Sequence, residues 1–580
     1  MEENEKIETP KVYIKKIEFN NEENEPLELK HDDIVVFVGP NNVGKSRILK
    51  DLRNDIIKDF SNNNVNKVII KNVEYEEENF NRKNMEAYFS RNFPQTEIGR
   101  YSVNIGYRGQ IYTYGDYEFG EFSNGGGFFY KTLFSFLSTE ERLNMTAPIS
   151  LANIQQNKVS FNIMKKLEKD EKAIKSLNKV LNSCFEKEVD IAEIEYQDSL
   201  YKVYKFGESD EINEIIKSNT RNAISKLETL EDLSEQGDGI RSAVAILSSL
   251  IAEEHSIYFM DEPETFLHPP QARVLGNNIV ELSEGKQCFI STHNIDLIKG
   301  ILEKKSNRVK IVKIDRDGDK NKIDQLKSES IEKISDDKNL KYSNILDGLF
   351  YKQVVLCENE SDCKFYAAVL ESVCQTTYQN TLFCGVGGKS QFKMVGSLLK
   401  DAKINYIVIA DLDLIDDKER LKGLVDSIEE NKYDEIKKDH SDFLTLFESE
   451  KEITKKKQLE IEKEILDIFD VSKSDEYMSE ANAKKIKSLL KNVNSLSLLK
   501  EEGSKSVPEG DCKNKYKKIL ETLESLNVYL VECGEIENFI PQIKGHGPKW
   551  VEEVFKKYPN MEEQEYNDVK DFIRKVFHIS

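Results

Sequence analysis

Apolar residues along this chain gather in short runs that end abruptly in charged or glycine-rich turns. Ile34 to Val38 runs into a glycine loop, Ile257 to Met260 into Asp261-Glu262, and Cys288 to Ile290 into Ser291-Thr292-His293. Unbroken runs of this length, without apolar–polar alternation, predict parallel strands buried on both faces, with the polar groups at their C-terminal ends. A second set repeats the plan: Val354 to Cys357 ends at Glu358, Tyr406 to Ala410 ends at Asp411, and Val528 to Val531 precedes Glu532 to Glu537. Between the sets, over about Ser306 to Lys341, the sequence is polar and charged with no clear apolar period, which predicts a domain boundary there.

The expectation is therefore an α/β protein of two domains, roughly 1–335 and roughly 345–580. Each carries an insertion. Residues from about 160 to about 230 are expected to be helical, from Phe161-Asn162-Ile163-Met164-Lys165-Lys166-Leu167 and the spacing of Ile224, Leu227 and Leu230. Residues from about 417 to about 525 read as charged amphipathic helix almost throughout. Gly120, Gly125, Gly126 and Gly127, set among Tyr and Phe, predict a β-meander or a flexible loop.

Composition narrows the class. A chain of 580 residues with 38% hydrophobic content is long enough and apolar enough for several cores. Its N-terminus is charged throughout, and there is no apolar run of the ~18–20 residues that spanning a bilayer requires, so a cytoplasmic protein without membrane contact is expected. The eight cysteines are scattered, with no C-x-x-C pair, and read as reduced thiols. The net charge of −22 opposes approach to a polyanion on average. Lysines nevertheless cluster at Lys304 to Lys313, Lys455 to Lys457, Lys484 to Lys491 and Lys513 to Lys518. Solvated helix faces account for such clusters as well as nucleic acid does, and acidic proteins also reach DNA through metal ions.

Candidate chemistry begins at Gly39-Pro40-Asn41-Asn42-Val43-Gly44-Lys45-Ser46, a G-x-x-x-x-G-K-S loop between an apolar strand and a helical segment. Its glycines let backbone N–H groups close around phosphates, Lys45 adds a charge at the β- and γ-phosphates, and Ser46 is placed to ligate Mg²⁺. The strand ending in Asp261-Glu262 brings Asp261 to the Mg²⁺ shell and Glu262 to the attacking water. With Thr265-Phe266-Leu267-His268-Pro269 after it, this segment resembles the Walker B region of ABC-type ATPases. The resemblance implies that His293 is the switch histidine at the γ-phosphate. It also implies a signature motif within Leu233 to Ser242, where Ser234, Gly237 and Gly239, or alternatively Ser242, face ATP on a partner subunit. Hydrolysis then requires paired heads, hence a homodimer or a higher even-numbered oligomer.

In the second domain Glu358 ends a strand, Asp362 follows four residues later, and Asp411-x-Asp413 ends another strand with both carboxylates on one side. Converging carboxylates suit Mg²⁺ or Mn²⁺, which take hard oxygen ligands and assist phosphodiester cleavage. The order and spacing resemble a Toprim domain, with Asn359 standing where glycine is common. An ABC-type head followed by Toprim is similar to the OLD (overcoming lysogenization defect) nucleases of anti-phage defence. That resemblance implies metal roles for Glu535 and Glu537, a transition-state role for Lys549, ATP and Mg²⁺ (or Mn²⁺) as cofactors, DNA as substrate, and a defence-system partner protein. Two other classes stay open: a non-nucleolytic ATPase clamp or sensor, and a primase or topoisomerase, the last lacking an evident tyrosine-bearing cleavage domain.

Overall fold

The computed structural model describes residues 7–57, 67–93, 95–97, 100–105, 110–120, 126–147, 149–150, 163–168, 170–193, 198–205, 230–318, 320–326, 344–450, 455–471, 478–491 and 497–579. The chain divides into two compact units, Met1–Asp336 and Asp337–Ser580.

The first unit is built on a six-stranded sheet. Its strands are β1 (Ile34–Val38), β2 (Phe134–Leu137), β3 (Ile257–Asp261), β4 (Gln287–Ser291), β5 (Val309–Asp317) and β6 (Lys320–Leu326), in the order β6-β5-β1-β4-β3-β2. All neighbours run parallel except the edge strand β6. Every residue of β1 and β4 is buried, as expected for strands covered on both faces. Parallel pairing brings the ends of β1, β4 and β3 to one edge, with Phe37 beside Ser291 and Ser291 beside Asp261. A separate antiparallel sheet of Lys11–Phe19, Leu27–Glu28 and Ile70–Glu78 shares the core with the helix Lys45–Ile57.

Two expectations are corrected here. The division after Asp336 falls within the 306–341 stretch read as a boundary, but the first part of that stretch supplies β5 and β6, because Lys310, Lys313 and Arg316 interrupt the apolar positions Ile311, Val312 and Ile314 and hide the strand pattern. Lys313 is buried with its ammonium 3.0 Å from Asp315. The 160–230 segment is not helical throughout: helices Ile163–Glu168 and Glu171–Phe185 lead into an antiparallel hairpin of Lys187–Glu193 and Asp198–Lys205. Ile224 and Leu227 lie outside the described residues, as does Gly125. Near the other glycines, Arg100–Ile105 and Gln110–Tyr114 form a hairpin, and Phe129 stacks 5.1 Å from Phe119.

The second unit holds a four-stranded, wholly parallel sheet of β7 (Gln353–Cys357), β8 (Thr381–Gly385), β9 (Tyr406–Asp411) and β10 (Val528–Val531), in the order β8-β7-β9-β10. Helix Glu360–Val373 packs with Pro548–Lys557 and Asn567–Phe577 through Phe365, Trp550 and Tyr566. Between β9 and β10 the described chain has only helices, the longest being Tyr433–Glu450, whose Phe443 meets Tyr516 of Asp511–Ser525. No helix among the described residues is long and apolar enough to cross a membrane.

Candidate functional site

In the first unit the loop after β1 is shaped by φ angles of +145° at Gly39, +66° at Asn42 and +106° at Gly44. A Cβ on Gly39 would lie 2.1 Å from the Ile314 carbonyl oxygen, so only glycine fits. Lys45 opens the helix Lys45–Ile57, and its buried ammonium donates to the carbonyls of Gly39 at 2.8 Å and Pro40 at 2.9 Å. Burial lowers its pKa, against the charges of Glu262, Glu264 and Asp261. Asn41 and Asn42 are exposed on the loop and Ser46 is half-buried behind Lys45.

At the end of β3 the Ser291 hydroxyl donates to Asp261. Glu262 adopts φ +48°, a left-handed conformation costing roughly 1–2 kcal/mol for a residue with a Cβ. Its N–H donates to the Ser291 carbonyl at 2.9 Å, and its Oε1 lies 3.1 Å from His293 Nδ1. The structure thus gathers Lys45, Asp261, Glu262 and His293 on one sheet edge.

Two further residues complete this edge. Glu264 is buried, accepts from the Thr292 hydroxyl at 2.6 Å, and has its pKa raised chiefly by burial. Arg142, fully buried in the helix Thr139–Met145, donates to the carbonyls of Leu137 (2.7 Å), Asp261 (2.8 Å) and Glu262 (3.0 Å) and to the hydroxyls of Ser242 (2.7 Å) and Thr139 (3.2 Å). Burial brings the Arg142 pKa down to about 10, opposed by Glu264, Asp261 and Glu262. The Pro263-Glu264 continuation of the acidic pair was the available signal for Glu264; nothing local marks Arg142.

The 233–242 segment resolves differently from the expectation. Ser242 is buried and its hydroxyl accepts from Arg142, so it is not presented at the surface of the head. Gly239 is buried too, because a Cβ there would meet the Phe266 carbonyl oxygen at 2.6 Å; close packing accounts for this glycine. Ser234 is half-buried on the turn Leu233–Glu235, and Gly237 is exposed as the N-cap of the helix Asp238–Ala252.

In the second unit, carboxylate oxygens of Glu358, Asp411 and Asp413 lie within 4.8 Å of one another at the ends of β7 and β9. Glu358 Oε1 is buried without a hydrogen bond, 3.5 Å from Lys389 Nζ, and the Lys389 ammonium also pairs with Asp413. Lys389 is held there by a turn in which the N–H groups of Gly387 and Gly388, at φ +79° and +115°, both donate to the Glu358 carbonyl at 3.0 Å. Burial, then the Glu358 charge, pushes Asp411 up to about 8, and Glu358 rises for the same first reason. Such crowding of carboxylates is what a divalent cation relieves, and the unbonded Glu358 oxygen fits one.

Asn359 has φ −133°, which any residue adopts, so its glycine-free turn is unstrained. Asp362 falls outside the Glu358 group: its carboxylate accepts from the Asn359 N–H at 3.1 Å and the Ser361 hydroxyl at 3.1 Å, at the start of its own helix. Burial, more than the Glu537 charge, raises its pKa. A second group joins Glu535, Glu537 and His546 within 4.8 Å, with Lys500 Nζ 3.3 Å from Glu535. Burial works to lower the Lys500 pKa, but Glu535, Asp413 and Asp411 outweigh it and the pKa rises. Lys549 is exposed in the first turn of Pro548–Lys557. Sequence alone assigned no role to His546, Lys389 or Lys500; only Lys389, in its Gly-Gly-Lys turn, carried a local signal.

A phosphate loop with its acidic pair and histidine, joined in one chain to a parallel domain with converging carboxylates, defines an ATPase–Toprim protein. Residues 34–299 match the family described as "AAA domain, putative AbiEii toxin, Type IV TA system", and residues 349–413 match "Overcoming lysogenization defect protein-like, TOPRIM domain". The chain thus joins a region similar to that ATPase family to a region similar to the OLD-like Toprim domain. The Old nuclease of Escherichia phage P2 is 25% identical over 226 residues, which are 35% of this chain and 38% of that protein, so the chain matches well under half the relative's length. Among solved structures, an SmcHead bound to the C-winged helix domain of ScpA gives a TM-score of 0.33 at 12% identity, covering 55% of this chain and 99% of that one. The Pyrococcus furiosus Smc head domain, bound to the C-terminal domain of ScpA, gives 0.31 at 11% identity, covering 56% and 98%.

Proposed function

We propose that this protein is an ATP-hydrolysing, divalent-metal-dependent DNA endonuclease that acts in anti-phage defence. The observation that carries the reading is the buried, unbonded Glu358 oxygen facing Asp411 and Asp413, a donor set made for a hard dication. Bound there, Mg²⁺ or Mn²⁺ supplies charge neutralisation at the attacking and leaving oxygens of a phosphodiester. The chain's own residues do the rest. Glu358, Asp411 and Asp413 would hold one ion, Glu535 and Glu537 another with Asp362 supporting them, and Lys549 would supply positive charge to the scissile phosphate. In the head, Lys45, Ser46 and the loop N–H groups hold ATP·Mg²⁺ with Asp261. Glu262 orients the attacking water, and its carboxylate is steadied by His293 at 3.1 Å.

Ser234 and Gly237 then face ATP on a second head, which makes the working form a homodimer or a higher even-numbered oligomer. Lysines available for a DNA backbone are fewer than the sequence suggested: Lys515 lies 3.3 Å from Asp439, and Lys513 and Lys518 pair with Glu509 and Asp439. Lys485 and Lys487 remain exposed on Glu480–Lys491. Nicking of supercoiled plasmid with Mg²⁺ or Mn²⁺, with and without ATP, tests the reading, and a wild-type protein that never cuts under any of these conditions overturns it. One observation favours a second reading, a non-nucleolytic ATPase clamp acting through a partner protein: the Lys389 ammonium already neutralises Glu358 and Asp413.

A further inference from the structure

The second metal group differs from the first in one respect that bears on which ion it takes: it contains a nitrogen. We propose that His546 is a direct ligand, through Nδ1, of the ion held by Glu535 and Glu537, and that this subsite selects Mn²⁺ or another transition ion over Mg²⁺. The proposal rests on the reading of Glu535 and Glu537 as metal ligands given above.

The local backbone is organised around the imidazole. His546 stands between Gly545 at φ +131° and Gly547 at φ +60°, conformations that cost a residue with a side chain and that turn the loop back over the carboxylates. The Gly547 N–H donates to Glu537 Oε1 at 2.8 Å, tying the loop to the group it covers. His546 Nδ1 then lies 3.4 Å from Glu537 Oε1 and 3.7 Å from Glu535 Oε1. Lys500 occupies the other oxygen of Glu535, at 3.3 Å, which leaves Oε1 turned toward the imidazole.

An ion pair does not explain this arrangement. The His546 side chain is 78% exposed while those of Glu535 and Glu537 are 11% and 12% exposed. A pair with so exposed a partner is weak, too weak by itself to fix the loop over the carboxylates. An exposed nitrogen above two shielded carboxylates instead leaves an entry path from solvent and a mixed nitrogen–oxygen donor set. Imidazole suits first-row transition ions such as Fe²⁺, Ni²⁺ and Zn²⁺. Mn²⁺, the most oxygen-seeking of that series, still accepts a nitrogen more readily than Mg²⁺, which prefers oxygen and keeps its waters. The Glu358, Asp411 and Asp413 group is all oxygen, so the two subsites are chemically unlike.

Electron paramagnetic resonance of Mn²⁺ bound to the full-length protein, without nucleotide or DNA, tests this. Titration gives the number and affinity of the Mn²⁺ sites, and pulsed measurement detects ¹⁴N coupling from a coordinated imidazole. Wild type is expected to show ¹⁴N coupling from one site. His546→Ala, at an exposed position, is expected to abolish it and to weaken that site about tenfold or more, while the other site is unchanged. Glu537→Gln weakens the same site, and Glu358→Ala weakens only the other. If wild type and His546→Ala bind Mn²⁺ alike and without ¹⁴N coupling while Glu537→Gln weakens one site, the ligand proposal is overturned and the metal reading stands. If Glu358→Ala and Glu537→Gln both bind as wild type does, the metal reading fails and the proposal falls with it.

Discussion

Arg142 Nε donates to Ser242 Oγ at 2.7 Å in the interior of the head. The same guanidinium reaches the carbonyls of Asp261 and Glu262, so one side chain joins the helix Asp238–Ala252 to the end of the strand bearing the acidic pair. A hydroxyl used in this way is structural, and the consequence separates the two serines of the segment.

Ser242→Ala is expected to lower unfolding stability by about 1.5–3 kcal/mol, the worth of a hydrogen bond to a charged group, in urea denaturation. Ser234→Ala is expected to leave stability within about 0.5 kcal/mol and to reduce ATP turnover. The reverse pattern would make Ser242 the functional serine. Arg142→Met should cost more, about 3–5 kcal/mol, because the carbonyls of Leu137, Asp261 and Glu262 lose the donors that satisfy them together with the Ser242 bond.

Lys45→Ala is expected to abolish tight ATP·Mg²⁺ binding, and Glu262→Gln to retain bound ATP while turnover falls by about a hundredfold or more. Equilibrium binding and steady-state phosphate release measure the two. Unchanged turnover in Glu262→Gln would remove Glu262 from its role.

Glu358→Ala or Asp411→Ala is expected to stop plasmid nicking and leave ATP turnover intact, since these acids and the phosphate loop belong to different units. A Glu358→Ala protein that cuts like wild type would point to a contaminant or another site.

The Lys389 ammonium contacts Glu358 and Asp413, so on the proposed metal reading a dication would have to displace it. Lys389→Met should therefore lower the metal-free Tm, by leaving like charges together, and enlarge the Tm increase that added Mg²⁺ produces. Equal Mg²⁺-induced shifts in variant and wild type would show that the ammonium does not occupy the metal's place.

Paired heads predict a species of even subunit number by light scattering, with specific ATPase activity that falls on dilution. A monomer whose specific activity is independent of concentration contradicts the trans contact.

Sequence alone determined the architecture and its polarity. Runs such as Ile34 to Val38 and Val354 to Cys357 are too apolar for any surface, so they had to be central parallel strands, and parallel strands carry whatever follows them to a common edge. That logic failed for Val309–Asp317, where charged residues interleave with the core positions, and for the hairpin after Phe185, where a helical pattern stops short. What only tertiary structure decided is which distant side chains complete each site. Arg142 lies far in sequence from Ser242 and Asp261, Lys389 and Lys500 reach their carboxylates across long stretches of intervening chain, and His546 is brought back to Glu535 and Glu537 by the turn of its own loop. A lone arginine, lysine or histidine has no sequence period, and its partner is chosen by packing: the buried carboxylates demanded countercharge, and the fold supplied the cations nearest in space.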